Sequence, residues 1–330
     1  MKKYCNYVKP IIFIILLDVF VYGAGIILEP KDNTKKNGIY EVRANGFYAE
    51  KKNSLDVLVI GDSESFTSIS PLQMYEEHGF TGYALGGNAQ KIYDSYYHLK
   101  RALENQKPKV VMLETNTLFR RYTIIDTING EFNNLTPLFK YHDRWKRLSL
   151  RDFNLTKDYT YRDPSKGFYV RTKIEKASPR NYMAKSKNIY EMPSINAYYV
   201  EKIYELCKEQ GIEFMLFSAP SLKNWYYAKH AGTQNVADEL GIDFLDLNMI
   251  SEIGIDWTVD TNDAGDHVNM TGAMKVTSYV GDYLAKKYNL VDRRNDPYYE
   301  EWDKDLEKYK EILASYGLKQ NEVILEDEEV

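Results

Sequence analysis

Two segments of the 330-residue chain carry residue types that together make nucleophilic and acid–base chemistry. The first is "VLVIGDSESFTSISP", Val57 to Pro71, where an apolar run stops on Gly61, Asp62 and Ser63. A hydroxyl at the end of a buried parallel strand, with the positive end of a following helix beside it, is placed to act as a nucleophile. The same tripeptide is also an ordinary turn and cap, so the serine needs a base. Five histidines are available. His267 stands in "DTNDAGDHVNMTGAMK", a polar loop leading into the last long helical pattern, and loops on a rigid scaffold are where catalytic groups gather. Asp263 and Asp266 both lie near enough to orient its imidazole through Nδ1. His142, in "KYHDRWK", is the rival base, whereas His78, His98 and His230 fall in or beside helical segments and read as surface or packing residues.

A serine attacking an ester also needs donors for the oxyanion, usually backbone N–H groups and one polar side chain. "GYALGGNAQ" supplies a glycine turn, where Gly86 or Gly87 lets a backbone N–H come close to a ligand. "VVMLETNT" puts Asn116 just past another apolar run.

These groups meet only if the runs behind them are neighbouring strands. "LDVLVIG", "GYALGG", "KPKVVMLETN", "IEFMLFSAPS" and "IDFLDL" are short apolar runs separated by helical patterns, such as Ile92, Tyr96, Leu99 and Leu103. Strands alternating with helices predict a parallel α/β sheet of three layers, and its carboxyl edge would collect Ser63, Gly87 and Asn116. Between residues 117 and 193 the alternation stops in a stretch crowded with Tyr, Arg and Lys, expected to be an inserted lid. Residues 291–330 are charged, with one amphipathic helix and an acidic end.

The series Gly-Asp-Ser, glycine turn, Asn after the third strand and late Asp/His loop resembles the SGNH (GDSL) hydrolase family. The resemblance covers roughly residues 55–130 and 194–289. It implies a flavodoxin-like fold, Ser63 as nucleophile with its own N–H in the oxyanion hole, Gly87 and Asn116 as the further donors, and His267 as base. Two blocks depart from the family pattern. Where GxND is usual the chain reads "ETNT", and where DxxH is usual Ala264 replaces the aspartate. Asp263 is then the favoured orienting acid and Asp266 the runner-up, since a residue adjacent to a histidine rarely reaches back to its ring.

The N-terminus has a basic start, Lys2, Lys3 and Lys9, before an apolar run over residues 10–28 of about the minimum length for crossing a bilayer. It reads as an uncleaved signal anchor with residues 1–9 cytoplasmic, a juxtamembrane linker at 29–53, and the α/β domain of residues 54–290 outside the cell membrane. Asp18 within the run calls for a polar partner helix or a proton. An anchored SGNH domain is similar to the bacterial surface proteins that act beside membrane-bound O-acyltransferases in teichoic-acid D-alanylation and polysaccharide O-acetylation. The resemblance therefore implies a cell-envelope glycan or acyl-ester substrate, a membrane-bound O-acyltransferase partner, and acyl transfer or ester hydrolysis. A net charge of -5 with dispersed lysines argues against nucleic acid. Two cysteines, Cys5 and Cys207, make no disulfide framework. The chain has no CxxC, HExxH, GxGxxG or P-loop pattern, so neither a metal nor a cofactor is expected.

Overall fold

A computed structural model describes residues 2–318, with side chains from Tyr7 onward; the acidic end at 319–330 lies outside the described residues. In chain order the first elements are α1 (Lys2–Leu28), β1 (Val57–Ile60), α2 (Ser63–Ser68), α3 (Pro71–His78), β2 (Gly82–Ala84), α4 (Ile92–Ala102) and β3 (Val110–Glu114). Then come α5 (Ile124–Leu135), α6 (Pro137–Lys140), α7 (Ser194–Glu209), β4 (Glu213–Ser218), α8 (Tyr227–Leu240), β5 (Asp243–Asp246), α9 (Met270–Tyr288) and α10 (Glu300–Ser315). They form two compact units, Met1–Val42 with Tyr122–Tyr161, and Arg43–Arg121 with Arg162–Val330.

The larger unit is built on a five-stranded parallel sheet of order β2-β1-β3-β4-β5. Its strands are continuous apolar runs because both faces are covered, as parallel sheets require. Val57 and Val59 of β1, Met112 of β3 and Met215 of β4 alternate into one cluster with Ile69, Met74, Val276, Val280 and Leu284 from α3, α9 and the turn before α3. Each such buried aliphatic side chain contributes about 1.5–3 kcal/mol. On the opposite face α4 and α7 pack against each other and reach β1 and β4, completing three layers. The sheet order puts β1 at the centre of the β2-β1-β3 edge, with β2 and β3 on either side.

The smaller unit contains α1, whose stretch Tyr7–Leu28 is 22 residues of mean hydropathy 2.7 and is long and apolar enough to cross a membrane. The chain after it is tied by polar contacts. Asp32 accepts from Thr160 N at 2.9 Å, and Asn33 exchanges bonds with the backbone of Tyr161, at 2.6 and 3.0 Å. Arg144 donates to Leu28 O and, at 2.5 Å, to the buried Asp152 carboxylate. Gly38, at φ 89°, lies under the Arg144 side chain, where a Cβ would sit 2.9 Å from its Cδ.

Candidate active site

Ser63 is the first residue of α2, directly past β1, and Asp62 is the cap that turns the chain there, its Oδ1 accepting from Glu64 N at 3.1 Å. Gly61 makes the preceding turn at φ 148°, and an added Cβ would come within 2.7 Å of Glu114 Cβ. Only glycine therefore fits between β1 and β3 at this point.

His267 comes to Ser63 from 204 positions away. Its Nε2 lies 2.8 Å from Ser63 Oγ, and its Nδ1 lies 2.8 Å from Asp263 Oδ2. Asp263 Oδ1 also accepts from the His267 backbone N–H at 2.7 Å, so one carboxylate holds both the ring and its main chain. Asp266 Oδ1 stands off Nδ1 by 3.9 Å. The acid is one position further from the histidine than the DxxH spacing, and the turn absorbs the extra residue. Ala264 and Gly265 both take left-handed backbone, at φ 57° and 88°. For alanine this costs about 1–2 kcal/mol. It is held by Gly265 N donating to Thr261 Oγ1 (2.7 Å), Leu222 N donating to Gly265 O (2.7 Å) and Ala264 N donating to Glu175 O (3.0 Å).

Two residues near this chain of bonds had no signal in the sequence patterns. Arg171 Nη1 donates to Asp263 Oδ2 at 3.0 Å, and the Arg171 carbonyl accepts from Met270 N at the start of α9. Burial raises the Asp263 carboxyl, but the His267 N–H, the imidazole and the Arg171 guanidinium outweigh it and hold it below the usual range. Asn224 donates through Nδ2 both to Glu64 Oε1, at 2.8 Å, and to Asp266 Oδ1. Its position past β4 is set by the bond from Asn224 N to Ser221 Oγ (3.2 Å).

Gly87 lies past β2 and Asn116 past β3, on either side of the β1 end. Asn116 Nδ2 donates to Asp62 Oδ2 at 3.1 Å and its Oδ1 accepts from Lys229 Nζ at 3.3 Å. One amide hydrogen is thus engaged, and an amide carries two. Gly86 is the more confined glycine, since a Cβ there would lie 2.3 Å from Ser65 Oγ and 2.9 Å from Asp62 O. The β2 turn therefore touches α2 closely at Gly86, whereas a Cβ on Gly87 would meet only Gln90, with Oε1 at 2.9 Å.

Beneath the serine lies a buried acidic layer. Asp62 is fully buried and is neutralised by Arg120 Nη2 at 2.6 Å. Burial, with Glu114 and Asp62 as neighbours, pushes the Glu64 carboxyl well above its ordinary range, and burial with Asp62 does the same to Glu114. Burial lowers Lys229 despite the surrounding carboxylates. Glu114, standing where the family pattern has glycine, accepts from Asn116 N at 2.9 Å and so shapes the turn that presents the amide.

Glu64, Asp266 and His267 each bring one possible ligand atom within 4.8 Å of the others, close enough to surround a cation. Here Asn224 bridges the two carboxylates, and both imidazole nitrogens are already occupied, by Ser63 and Asp263. His142 belongs to the smaller unit, with Nδ1 2.7 Å from Phe139 O.

No family model and no curated protein matches the chain. Solved structures similar to it include a protein described as an acylhydrolase from Bacteroides fragilis, at 12% identity over 74% of this chain and 95% of that one, with a TM-score of 0.39. A psychrotrophic esterase from a Pseudoalteromonas species is 11% identical over 71% of this chain and 99% of its own, with a TM-score of 0.38. A GDSL-like lipase from Bacteroides thetaiotaomicron is 12% identical over 74% and 98%, with a TM-score of 0.35. Similarity of this degree carries no assignment of its own. The parallel five-stranded α/β sheet flanked by helices, with one N-terminal helix apolar enough to span a bilayer, is the fold of this chain.

Proposed function

We propose that the chain is a membrane-anchored, extracytoplasmic Ser/His acyl-ester enzyme of SGNH type, an O-acyltransferase component that acts on a cell-envelope glycan. The observation that carries this reading is the unbroken line Ser63 Oγ, His267 Nε2, His267 Nδ1, Asp263 Oδ2, with 2.8 Å at both bonds. Ser63 Oγ attacks the acyl carbonyl as its proton passes to His267 Nε2. The negative oxygen that forms is met by the N–H groups of Ser63 and Gly87 and the amide of Asn116. Collapse breaks the ester bond, and the departing alkoxide takes the proton from His267, leaving acyl-Ser63. An acceptor hydroxyl then attacks the acyl carbon as its proton passes to His267, and collapse breaks the bond to Ser63 Oγ, which takes that proton back as the new ester leaves. Asp263 stays ionised throughout and steadies the imidazolium.

A glycan hydroxyl as acceptor makes the chain a transferase, while water makes it a carbohydrate acetylesterase. The span Tyr7–Leu28 favours transfer at the membrane surface, beside a membrane-bound O-acyltransferase that would supply the acyl group. A non-catalytic scaffold for such a partner has no use for an intact serine–histidine–aspartate line.

The test is labelling with a fluorophosphonate and mass analysis, combined with labelled acetyl donors in cells. Ser63 is expected to carry the adduct, His267→Ala to lose it, and Ser63→Ala cells to lose label from the glycan. Unmodified Ser63 in the wild-type chain, or unchanged glycan acylation in both variants, would leave the scaffold reading in its place.

A further inference from the structure

Helix α5 wears its apolar face outward. Ile124 is 77% exposed, Ile125 70%, Ile128 48%, Phe132 54% and Leu135 66%, while Thr127 and Gly130 face the interior. Residues at this spacing share one side of a helix, and in a water-surrounded protein that side is the one normally covered. The apolar surface continues beyond the helix through exposed Phe139, Trp145, Leu148, Leu150 and Phe153. Exposed Lys140, Lys146, Arg147 and Arg151 are interleaved with it. Patches of this kind mark interaction surfaces.

The position of α6 on α1 identifies the occupant. The span Tyr7–Leu28 has 22 residues. At 1.5 Å per residue that is about 33 Å, against a hydrocarbon core of about 30 Å. Gly25 stands near the end of this span and leaves room there for α6: a Cβ added to it would lie 3.5 Å from Leu138 N and 3.8 Å from Pro137 Cδ. With α1 across a bilayer, α6 is held within roughly one helical turn of the hydrocarbon edge. The exposed face beside it then lies at the depth of the headgroup layer. Its composition fits that layer, with tryptophan, phenylalanine and branched aliphatics reaching inward and lysine or arginine reaching anionic headgroups.

We propose that residues 124–155 form an interfacial element that lies in the outer lipid surface next to the emerging end of α1, turning a single span into a two-point attachment. This rests on the anchor reading of α1. The chain carries its own probe, because Trp225, Trp257 and Trp302 are buried and Trp145 is 65% exposed. The full chain is reconstituted in phosphatidylcholine–phosphatidylglycerol vesicles, plain or with acyl chains brominated near the headgroup. Brominated lipid is expected to quench the exposed tryptophan, and W145F is expected to lose that quenching. Quenching of Trp145 by aqueous acrylamide and not by lipid would overturn the proposal, as would protection from both quenchers, which would mean a protein covers the face. Alkaline carbonate extraction separates the two readings. A chain that stays with the vesicles yet shows no lipid quenching refutes only the interfacial element, and a chain released by carbonate refutes the anchor and the element together.

Discussion

The larger unit contains two histidine–carboxylate pairs of nearly equal geometry and different surroundings. His267 Nδ1 meets Asp263 at 2.8 Å, and His230 Nδ1 meets Asp246 at 2.7 Å. On the far side of the ring, His267 meets a serine hydroxyl, whereas His230 packs at a tilt against rings, with Phe244 at 5.6 Å and Tyr227 at 5.5 Å. Asp246 is spent on architecture as well, accepting from Trp225 Nε1 at 2.9 Å and Asn248 Nδ2 at 2.8 Å. Asp263 is spent on His267 and Arg171. A histidine–aspartate contact by itself thus says little, and what distinguishes the His267 pair is a serine hydroxyl at the other nitrogen and a guanidinium on the acid.

The largest expected contrast is between variants of the two pairs. His267→Ala or Asp263→Asn should lower kcat about 10⁴-fold with little change in unfolding free energy. His230→Ala should leave kcat near the wild-type value and cost about 1–3 kcal/mol in denaturant unfolding, because it takes one of the hydrogen-bond partners from a buried carboxylate. Equal losses of activity from both histidines would erase the distinction.

A medium effect concerns Arg171. Breaking its partly exposed ion pair is worth about 0.5–1 kcal/mol, so Arg171→Met should lower kcat/KM roughly 2- to 5-fold. The Asp263 carboxyl is held low in part by this guanidinium, so without it the acid takes up its proton at higher pH. The acid limb of the pH–rate profile should therefore move upward in Arg171→Met and return in Arg171→Lys. A loss of rate with an unmoved limb would reduce Arg171 to a loop brace.

The smallest effect belongs to Glu64, the buried acid that accompanies only the His267 pair. Its carboxyl is raised by burial and by Glu114 and Asp62, so the folded chain keeps a proton that the unfolded chain releases. Stability from this group is present below the ordinary glutamate value of 4.5 and declines as pH rises through the folded value. Glu64→Gln retains an acceptor for Asn224 and should melt about 2–4 °C higher at neutral pH, with the gap closing toward acid. A gap that is constant with pH would mean Glu64 does not titrate differently on folding.

The strands and the serine were readable because they rest on local rules. A continuous apolar run closed by glycine gives a buried parallel strand, and the hydroxyl follows the strand end. The preference for Asp263 over Asp266 came from how poorly a side chain reaches its neighbour's ring. The left-handed pair Ala264–Gly265 that brings Asp263 round was not visible, since alanine gives no hint of φ 57°. Arg171, Asn224 and Lys229 were missed because their partners lie on other elements, and only tertiary packing brings them there. The stretch 117–193 carried no period, and so nothing in it showed that Tyr122–Tyr161 clusters with the N-terminal helix while residues from 162 onward join the sheet-bearing unit.

The hydrogen bond that joins Ser63 to His267 spans 204 positions. Chains grow from the N-terminus at about 5–20 residues per second, so the serine waits on the order of 10–40 s for its base. During that interval the hydroxyl is an ordinary alcohol. On the proposed reading, reactivity begins only once His267 has been made and folded against Ser63, so a half-made molecule would leave acyl compounds untouched.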